Sequence, residues 1–469
     1  MARPPLADGF PEPTREQWLA RAREALKGAD PESLAARTVE GLLIEPLDGP
    51  GPPTALRACV AREPNAESPW DIRAIVSPND PAETNAQVLE ALAGGATSVL
   101  LEQPAPDDLA RALDGLVFEA APVALDAGFA GPAAAKRLGV LAKASPAARL
   151  VFHLDPFSAF ARAGRSPGPI EAHVEAAAAV AADLVREYPA ASLFLASGVV
   201  AHEAGASAAQ ELGVMAAAAL AYAKALTTAG LSMDAAFAGI ALGLAADSDV
   251  FVSLAKLRAA REIWGRMAAA CGVSRPARIE ARVSRRMLTR LDIHTNLIRQ
   301  TAAAFAAAAG GADALAIDAF TQPIGAPDAL GRRLARNIQL ILAEESGLGR
   351  VGDPAAGSWH VENLTDQLVR ASWSFFQDIE KAGRLSAALT SGLIAAKAAE
   401  VQAEREAEVH AGTARILGVT LHRDTPSDSA GAAPAYLAPA QPETHLPGPD
   451  SLCPPLFPRR LAESFEDAA

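Results

Sequence analysis

Few residues of this sequence have the type and spacing that metal binding or catalysis requires. His202-Glu203 matches half of the zinc motif HExxH, but residue 206 is alanine, so the second histidine is missing. We therefore expect His202 to be a polar residue on a loop. Arg258 and Arg261 lie three residues apart in a predicted helix, and we expect them to form surface or inter-helix ion pairs rather than to bind a ligand.

The net charge and the cysteine content limit which partners and which cellular compartment are expected. The formal net charge of −13 would repel phosphate backbones and anionic lipids, which excludes nucleic acid and membrane surfaces as partners. Neither an apolar leader nor a transmembrane span is evident in the sequence. Cys59, Cys271 and Cys453 are too scattered for a disulfide framework, so we expect a cytoplasmic protein.

The elements that must position any site follow an alternating pattern of short apolar strands and longer helices. Alternation over roughly 300 residues favours a parallel-sheet α/β protein, and about eight strands favour a (β/α)8 TIM-type barrel, with a doubly wound sheet as the alternative. The predicted strands are Leu42–Leu47, Thr97–Glu102, Val123–Asp126, Arg149–Leu154, Ser192–Ala196, Ala238–Leu242, Ile279–Val283 and Ala314–Asp318. The clearest predicted helices are Ile170–Arg186, Ala206–Leu226, Val252–Ala270 and Ala329–Glu345.

Extensions flank this predicted barrel on both sides. Residues 1–38 form an N-terminal extension in which Thr14-Arg-Glu-Gln17 reads as a capping box that opens a helix, packed on the barrel or on a partner. The barrel is assigned to residues 39–385 and C-terminal helices to 386–421. Residues 422–469 are rich in Pro and Ala, as linkers are.

Several runs, in order, resemble the substrate-binding barrel of the methylmalonyl-CoA mutase family over roughly residues 15–420. They are Leu26-Lys-Gly28 with Thr38-Val-Glu-Gly41, Ser68-Pro-Trp-Asp-Ile-Arg73, Ser197-Gly198 with Glu203-Ala-Gly-Ala206, Ala255-Lys-Leu-Arg-Ala-Ala-Arg261, Ala335-Arg-Asn-Ile-Gln-Leu-Ile-Leu342 and Asp353-Pro-Ala-Ala-Gly-Ser358. The resemblance implies a barrel in which a CoA thioester threads along the axis and meets adenosylcobalamin at one mouth. The cofactor would supply the radical, and protein groups would hold and polarise the substrate.

The positions that carry this chemistry in catalytic members of the family differ here. The resemblance places the family's paired Tyr and His, which face the reacting acyl group, at Val199 and Val200, and a second Tyr at Ile75. None of these side chains can donate or accept a hydrogen bond. The resemblance therefore predicts that the chain has no catalytic residues.

The substrate-binding positions differ as well. Two family arginines correspond to Ser68 and Gly239, a serine corresponds to Ala241, and a histidine corresponds to Glu280. We therefore predict that no substrate-binding residue of the family is retained, because the arginine forks that hold carboxylate and phosphate are missing.

The family's cobalamin-binding domain carries Asp-x-His-x-x-Gly, whose closest match here, Asp292-Ile-His294, is followed by Leu297 instead of Gly. About 50 residues follow Leu421, too few for a domain of about 100–150 residues. We therefore expect no cofactor on this chain alone, and adenosylcobalamin bound by a partner.

These expectations favour the small, catalytically inactive subunit of a heterodimeric mutase that converts methylmalonyl-CoA to succinyl-CoA. Such a chain would stabilise a large catalytic subunit. Two alternatives are a stand-alone acyl-CoA-binding module and a split mutase of altered acyl-CoA specificity.

Overall fold

The computed structural model describes residues 14–49, 68–77, 80–424 and 448–466. Its centre is a closed barrel of eight parallel strands, in which the last strand pairs with both the first and the seventh. The barrel strands are β3 (Asp71–Val76), β4 (Ser98–Glu102), β5 (Val123–Asp126), β6 (Leu150–Leu154), β7 (Ser192–Ser197), β8 (Ile240–Ala246), β9 (Ile279–Val283) and β10 (Ala314–Ala316). Strands β1 (Ala36–Arg37) and β2 (Leu43–Ile44) form a separate antiparallel pair. The predicted (β/α)8 barrel is confirmed.

Helices surround this barrel and extend beyond it. They are α1 (Arg15–Ala25), α2 (Pro81–Ala93), α3 (Leu109–Ala112), α4 (Gly131–Leu141), α5 (Pro156–Ala163), α6 (Ile170–Glu187), α7 (Val199–Glu203), α8 (Ala208–Thr228), α9 (Met233–Ala238), α10 (Val250–Ala270), α11 (Thr295–Ala309), α12 (Ala329–Leu340), α13 (Trp359–Lys381), α14 (Arg384–Thr390), α15 (Leu393–Ala411) and α16 (Glu463–Glu466). The four helices singled out in the sequence correspond to α6, α8, α10 and α12, the last continued by a π-helical turn at Ile341–Glu345.

Seven of the eight predicted strands are strands of the barrel, with end points shifted by up to four residues. The prediction of a barrel strand at Leu42–Leu47 is wrong, because this segment contributes only the short strand β2. The first barrel strand is instead Asp71–Val76. Its charged residues Asp71 and Arg73 hide the apolar pattern of a strand buried on both faces, since Arg73 points into the barrel and pairs there.

The outer layer is held by close helix packing. Helix α8 begins at a capping box formed by Ser207 and Gln210, and its alanine-rich surface packs against α10 and α13. A Cβ at Gly213 of α8 would lie 2.7 Å from a ring carbon of Phe375 in α13, so glycine permits this approach. The small residues of α8 thus bring α13 close to the barrel, although α13 follows all its strands in sequence.

The two ends of the described chain differ in how they pack. Helix α1 starts at the predicted capping box of Thr14 and has no buried residue. Of the tail predicted to be linker-like, residues 448–466 run along the barrel, and residues 425–447 and 467–469 lie outside the described residues. Leu456 and Phe465 of this segment are buried. No helix among the described residues has the length and apolar character to cross a lipid bilayer.

Candidate functional site

The barrel axis is occupied by an ionic group that we call the axial plug, made of Arg73, His153 and Glu280. The guanidinium of Arg73 on β3 donates to the Glu280 carboxylate on β9, and Nε2 of His153 on β6 lies 2.7 Å from Glu280 Oε2. His153 has a left-handed φ of 46° beside an irregularity in the β6–β7 register. The backbone distortion accompanies the placement of the imidazole against Glu280.

The electrostatics of the axial plug favour the ionised carboxylate. Burial alone would raise the pKa of Glu280, but the charges of Arg73 and His153 and the hydrogen bond of His153 hold it at about 2. Glu280 therefore stays anionic at neutral pH and balances Arg73. Arg73 also lies 3.5 Å from Asp71, whose pKa is raised by burial. The charges of Arg73 and Glu280 are thus paired with each other, whereas Nε2 of His153 lies close to Glu280 without a well-formed hydrogen bond.

A second ionic group, the mouth cluster, closes the carboxyl-terminal end of the barrel. Arg282 lies 2.7 Å from Glu102 and 2.8 Å from Asp318, and Arg285 lies 2.6 Å from Asp318. Although burial alone would raise their pKa values, the two arginines lower the pKa of both Glu102 and Asp318. Two guanidinium groups and two carboxylates neutralise each other there, so the cluster has no net charge for an anionic substrate.

These two groups divide the axis into small cavities. One of about 200 Å³ lies at the amino-terminal end, one of about 90 Å³ in the middle and one of about 320 Å³ at the mouth. Arg73 and Glu280 line both of the first two cavities, and Arg282 lines both of the last two. The ionic side chains therefore stand as partitions between the cavities.

One buried carboxylate beside the middle cavity has a raised pKa. Burial raises the pKa of Asp155 to about 6, against hydrogen bonds that lower it, from Ser158 and from Tyr222. Tyr222 Oη donates to Asp155 Oδ1 over 2.5 Å and accepts from the backbone N–H of Phe157. Asp155 also accepts from the Ser158 N–H at the start of α5. The hydrogen bonds of this carboxylate therefore cap helix α5 and hold Tyr222 in place.

The three positions predicted to have lost catalytic residues lie around the axis. Ile75 packs with Leu100, Ala124 and Val151 in an aliphatic layer inside the barrel. Val199 and Val200 begin α7 and line the middle and mouth cavities. The structure thus brings the two valines together at the mouth, whereas Ile75 lies on strand β3.

The predicted substrate-binding positions are spread along the barrel. Ser68 lies before β3, where its hydroxyl donates to the Trp70 carbonyl over 2.6 Å. Gly239 ends α9, and a Cβ there would lie 2.7 Å from Leu193 Cδ1, so a larger side chain would displace Leu193. Ala241 is fully buried on β8. Of these positions, Ser68 and Glu280 share the amino-terminal cavity.

The expectation that His202 lies on a loop is wrong. His202 is buried in α7, where Nδ1 lies 2.9 Å from Glu211 and Nε2 lies 2.9 Å from the Ser284 hydroxyl. Burial and the charge of Arg286 lower its pKa to about 4, so the imidazole is neutral at neutral pH. Ser284 and Glu211 are fully buried as well, so this serine–histidine–glutamate arrangement is structural rather than nucleophilic.

Arg258 and Arg261 form inter-helix and loop contacts, and neither lies at the surface. Arg258 lies 3.0 Å from both Asp353 and Glu362, which ties α10 to α13. Arg261 donates to the Ala277 carbonyl over 2.6 Å and lies 2.8 Å from Asp313. Both side chains are 2% exposed, which agrees with the expected ion pairs but places them inside the molecule.

The partial match to the cobalamin motif, Asp292-Ile-His294, lies where helix α11 begins. His294 is exposed at the start of α11, with its ring 5.7 Å from that of Phe320, and Asp292 accepts the Thr295 hydroxyl. No cluster of three His, Cys, Asp or Glu side chains suited to a metal ion occurs within the described ranges.

The axial plug and mouth cluster were not identified as sites from the sequence. Glu102 ends β4, Arg282 is the second-last residue of β9, and Asp318 follows β10 by two residues. In TIM-type barrels, charged residues at these ends face the mouth, where active sites form. The position of these residues at the ends of strands could have indicated a site. Which of them pair with each other depends on the closure of β10 against β3.

Comparisons with known proteins place the chain among methylmalonyl-CoA mutases. The sequence profile of the family described as Methylmalonyl-CoA mutase matches residues 105–436. The chain is 38% identical over 462 residues to the methylmalonyl-CoA mutase small subunit of Streptomyces virginiae, which covers 92% of this chain and 74% of that protein. It is 34% identical over 421 residues to the small subunit from Propionibacterium freudenreichii subsp. shermanii. This match covers 82% of this chain and 64% of that protein.

A probable small subunit from Mycobacterium tuberculosis is 39% identical over 354 residues, covering 72% of this chain and 56% of the relative. The matched region thus amounts to between 56% and 74% of the length of these relatives. All three carry the name small subunit, which agrees with the resemblance drawn from the sequence motifs. With the family profile matched over most of the chain, this protein belongs to the methylmalonyl-CoA mutase family.

Proposed function

We propose that this chain is the small, catalytically inactive subunit of a heterodimeric, adenosylcobalamin-dependent methylmalonyl-CoA mutase. The assembled enzyme would interconvert methylmalonyl-CoA and succinyl-CoA in the cytoplasm. A large subunit would bind the cofactor and carry out the reaction. This chain would stabilise that subunit by association.

The axial plug is the observation that carries this proposal. A thioester that threads along the axis, as the family resemblance implies, would have to displace the buried contacts among Arg73, His153 and Glu280. Breaking a buried ion pair by displacing one partner costs about 3–5 kcal/mol. A bound substrate would therefore start from a large energetic penalty.

The aliphatic side chains near the mouth support the same proposal. Val199 and Val200 line the cavities where the resemblance places a tyrosine and a histidine, and Ile75 lies within an aliphatic layer. These side chains have no hydrogen-bonding atoms with which to polarise a thioester carbonyl. The nearest carboxylates and guanidinium groups are already paired with each other in the mouth cluster.

Co-expression with a large subunit tests the proposal directly. We expect the two chains to co-purify, the complex to turn over methylmalonyl-CoA with adenosylcobalamin, and this chain alone to show no turnover with the added cofactor. We also expect the complex to retain activity at temperatures where the large subunit alone loses it.

Two results would contradict the proposal. One is turnover by this chain alone, and the other is a chain that stays monomeric and leaves the activity and stability of the large subunit unchanged. Calorimetric titration of the isolated chain with acyl-CoA esters separates the remaining alternative, because micromolar binding would identify an acyl-CoA-binding module.

A further inference from the structure

A further cavity continues from the mouth cavity, with which it shares Ser77, Glu102, Glu203, Arg285 and Pro458. It has a volume of about 700 Å³ and extends from the mouth cluster into the space between β3, α2 and α12. Ile72, Val76, Ala91, Ile317 and Ala335 contribute an apolar surface to it. This volume lies within the range of small-molecule sites, which are typically about 300–1,000 Å³.

Two arginines of α12 face this cavity and lack full hydrogen-bond partners. Arg332 and Arg336 are four residues apart, so they lie on the same side of the helix. The Nε atoms of both are buried without a hydrogen-bond partner in the described part of the chain. A ligand in the cavity cannot reach these buried Nε atoms. The terminal N–H groups of Arg336 also form no hydrogen bond within the described part of the chain, so they are suited to a ligand that supplies acceptor oxygens.

The surroundings fix the position of Arg336 in particular. A Cβ on Gly94, at the end of α2, would lie 2.3 Å from Cζ of Arg336, so the guanidinium lies directly against the backbone of α2. Arg332 donates to the Pro327 carbonyl over 2.9 Å and to Glu90 over 3.2 Å. Glu90 is 46% exposed, and a pair of this kind contributes little, so it can readjust when another anion binds.

The charges that line the cavity favour an anion. Outside the axial plug and the mouth cluster, the charged side chains in its lining are five arginines and three glutamates, namely Arg290, Arg332, Arg336, Arg459 and Arg460 with Glu90, Glu203 and Glu463. This local excess of arginine occurs in a chain whose overall net charge is −13. A local excess of positive charge attracts anions even on an acidic protein, because nearby charges dominate at short range.

We propose that this cavity binds a small organic phosphate. The phosphate group would accept hydrogen bonds from Arg332 and Arg336, and the carbon body would pack on the apolar wall. A phosphate monoester carries a charge of about −1.5 to −2 at pH 7, which suits two guanidinium groups better than the single charge of a carboxylate does. This site would act independently of the proposed mutase role.

Isothermal titration calorimetry with phenyl phosphate tests the site, on this chain together with any subunit that co-purifies with it. We expect phenyl phosphate to bind more tightly than inorganic phosphate, which lacks the apolar body, and than phenol, which lacks the charge. The affinity should fall as the salt concentration rises. Absence of binding at millimolar concentrations, or equal binding of phenol, would overturn the proposal, and tighter binding of benzoate would overturn the choice of phosphate.

Substitutions on α12 locate the bound ion. We expect Arg332→Gln and Arg336→Gln each to weaken phenyl phosphate binding at least tenfold, and Arg336→Lys to weaken it less because it keeps the charge. Arg333→Gln is the matched control, since Arg333 is exposed on the same helix and its replacement removes the same charge. An equal loss in Arg333→Gln would show non-specific attraction and contradict the site. Thermal unfolding of each variant checks that the fold is retained.

Discussion

Buried charges occur in two regions of this molecule, the barrel axis and the helical layer around it, and they serve different ends. In the axial plug, Arg73 and Glu280 face each other across the space that a substrate would occupy. In the outer layer, Arg258 and the Glu211–Lys256 pair join α7, α8, α10 and α13 to one another or to the barrel. The outer network thus maintains the scaffold, so the axis could lose its chemistry while the fold remained.

The largest effect is expected when the outer network is broken at Glu211. Its carboxylate lies 2.5 Å from Lys256 Nζ and accepts the Ala245 N–H over 2.6 Å. Glu211→Gln would leave the buried ammonium of Lys256 without a countercharge, which should lower the free energy of unfolding by about 3–5 kcal/mol. Chemical denaturation monitored by circular dichroism measures the change.

Two further variants show whether this loss comes from the unpaired charge. Glu400→Gln removes one partner of the exposed Lys397–Glu400 pair on α15 and should leave stability unchanged within error. The double variant Glu211→Gln with Lys256→Met should recover part of the loss, because it removes the isolated charge. A Glu211→Gln variant as stable as Glu400→Gln would mean that the outer network does not maintain the scaffold.

The next effect is expected in the axial plug, where Glu280→Gln tests the acid dependence of stability. The pKa of Glu280 is held at about 2, below its ordinary value of 4.5, so its stabilising contribution is complete above pH 4.5. The contribution falls as the pH decreases from 4.5 towards 2. The difference in unfolding free energy between the natural chain and Glu280→Gln should be about 3 kcal/mol at pH 7 and should shrink below pH 4.5.

Urea denaturation at a series of pH values from neutral to acidic measures this difference. Because the amide introduced by Glu280→Gln does not titrate, any acid dependence that remains in the variant comes from other carboxylates. A difference that stays constant through the acidic range would show that Glu280 is not held ionised by Arg73 and His153. The contrast between the two regions would then be weaker than the geometry indicates.

Most of the barrel could be predicted from the sequence because seven of its strands are short, mostly apolar and bounded by helix-forming segments. Although β9 was predicted despite Glu280 and Arg282, β3 was not, and Asp71 and Arg73 interrupt its apolar pattern in a similar way. Their charges are acceptable there only because Arg73 meets Glu280 on β9, about 200 residues later in the chain. The pattern of apolar and charged residues within one strand contains no information about an ion-pair partner that lies so far along the chain.

The candidate site, like the barrel, could be predicted from the sequence only in part. Val199, Val200 and Glu280 could be named from motif spacing, because each occupies a definite place in a run that resembles the family. The role of Glu280 as part of an ion pair, and the burial of His202 against Glu211 and Ser284, depend on contacts between separate elements. Such contacts become visible only when the barrel is closed.

The smallest effect is expected from restoring the missing side chains at the mouth. The double variant Val199→Tyr with Val200→His places at these positions the residue types that the family resemblance associates with catalysis. We nevertheless expect no turnover of methylmalonyl-CoA by the isolated chain with adenosylcobalamin, because the axial plug and the mouth cluster still fill the substrate path. The turnover is measured with a coupled assay for succinyl-CoA. A complex that contains the large subunit is the positive control.

The outcome tests whether the two valines alone account for the proposed inactivity, because absent turnover would follow equally from the ionic groups and from the lack of a bound cofactor. If Val199 and Val200 alone were responsible, the double variant would gain measurable turnover. If the ionic groups block the path, turnover stays absent in this variant, which has Arg73, His153 and Glu280 in place. Because Val200 is almost buried, the larger histidine should also cost about 1–3 kcal/mol of stability, so thermal unfolding must confirm that the variant is folded at the assay temperature.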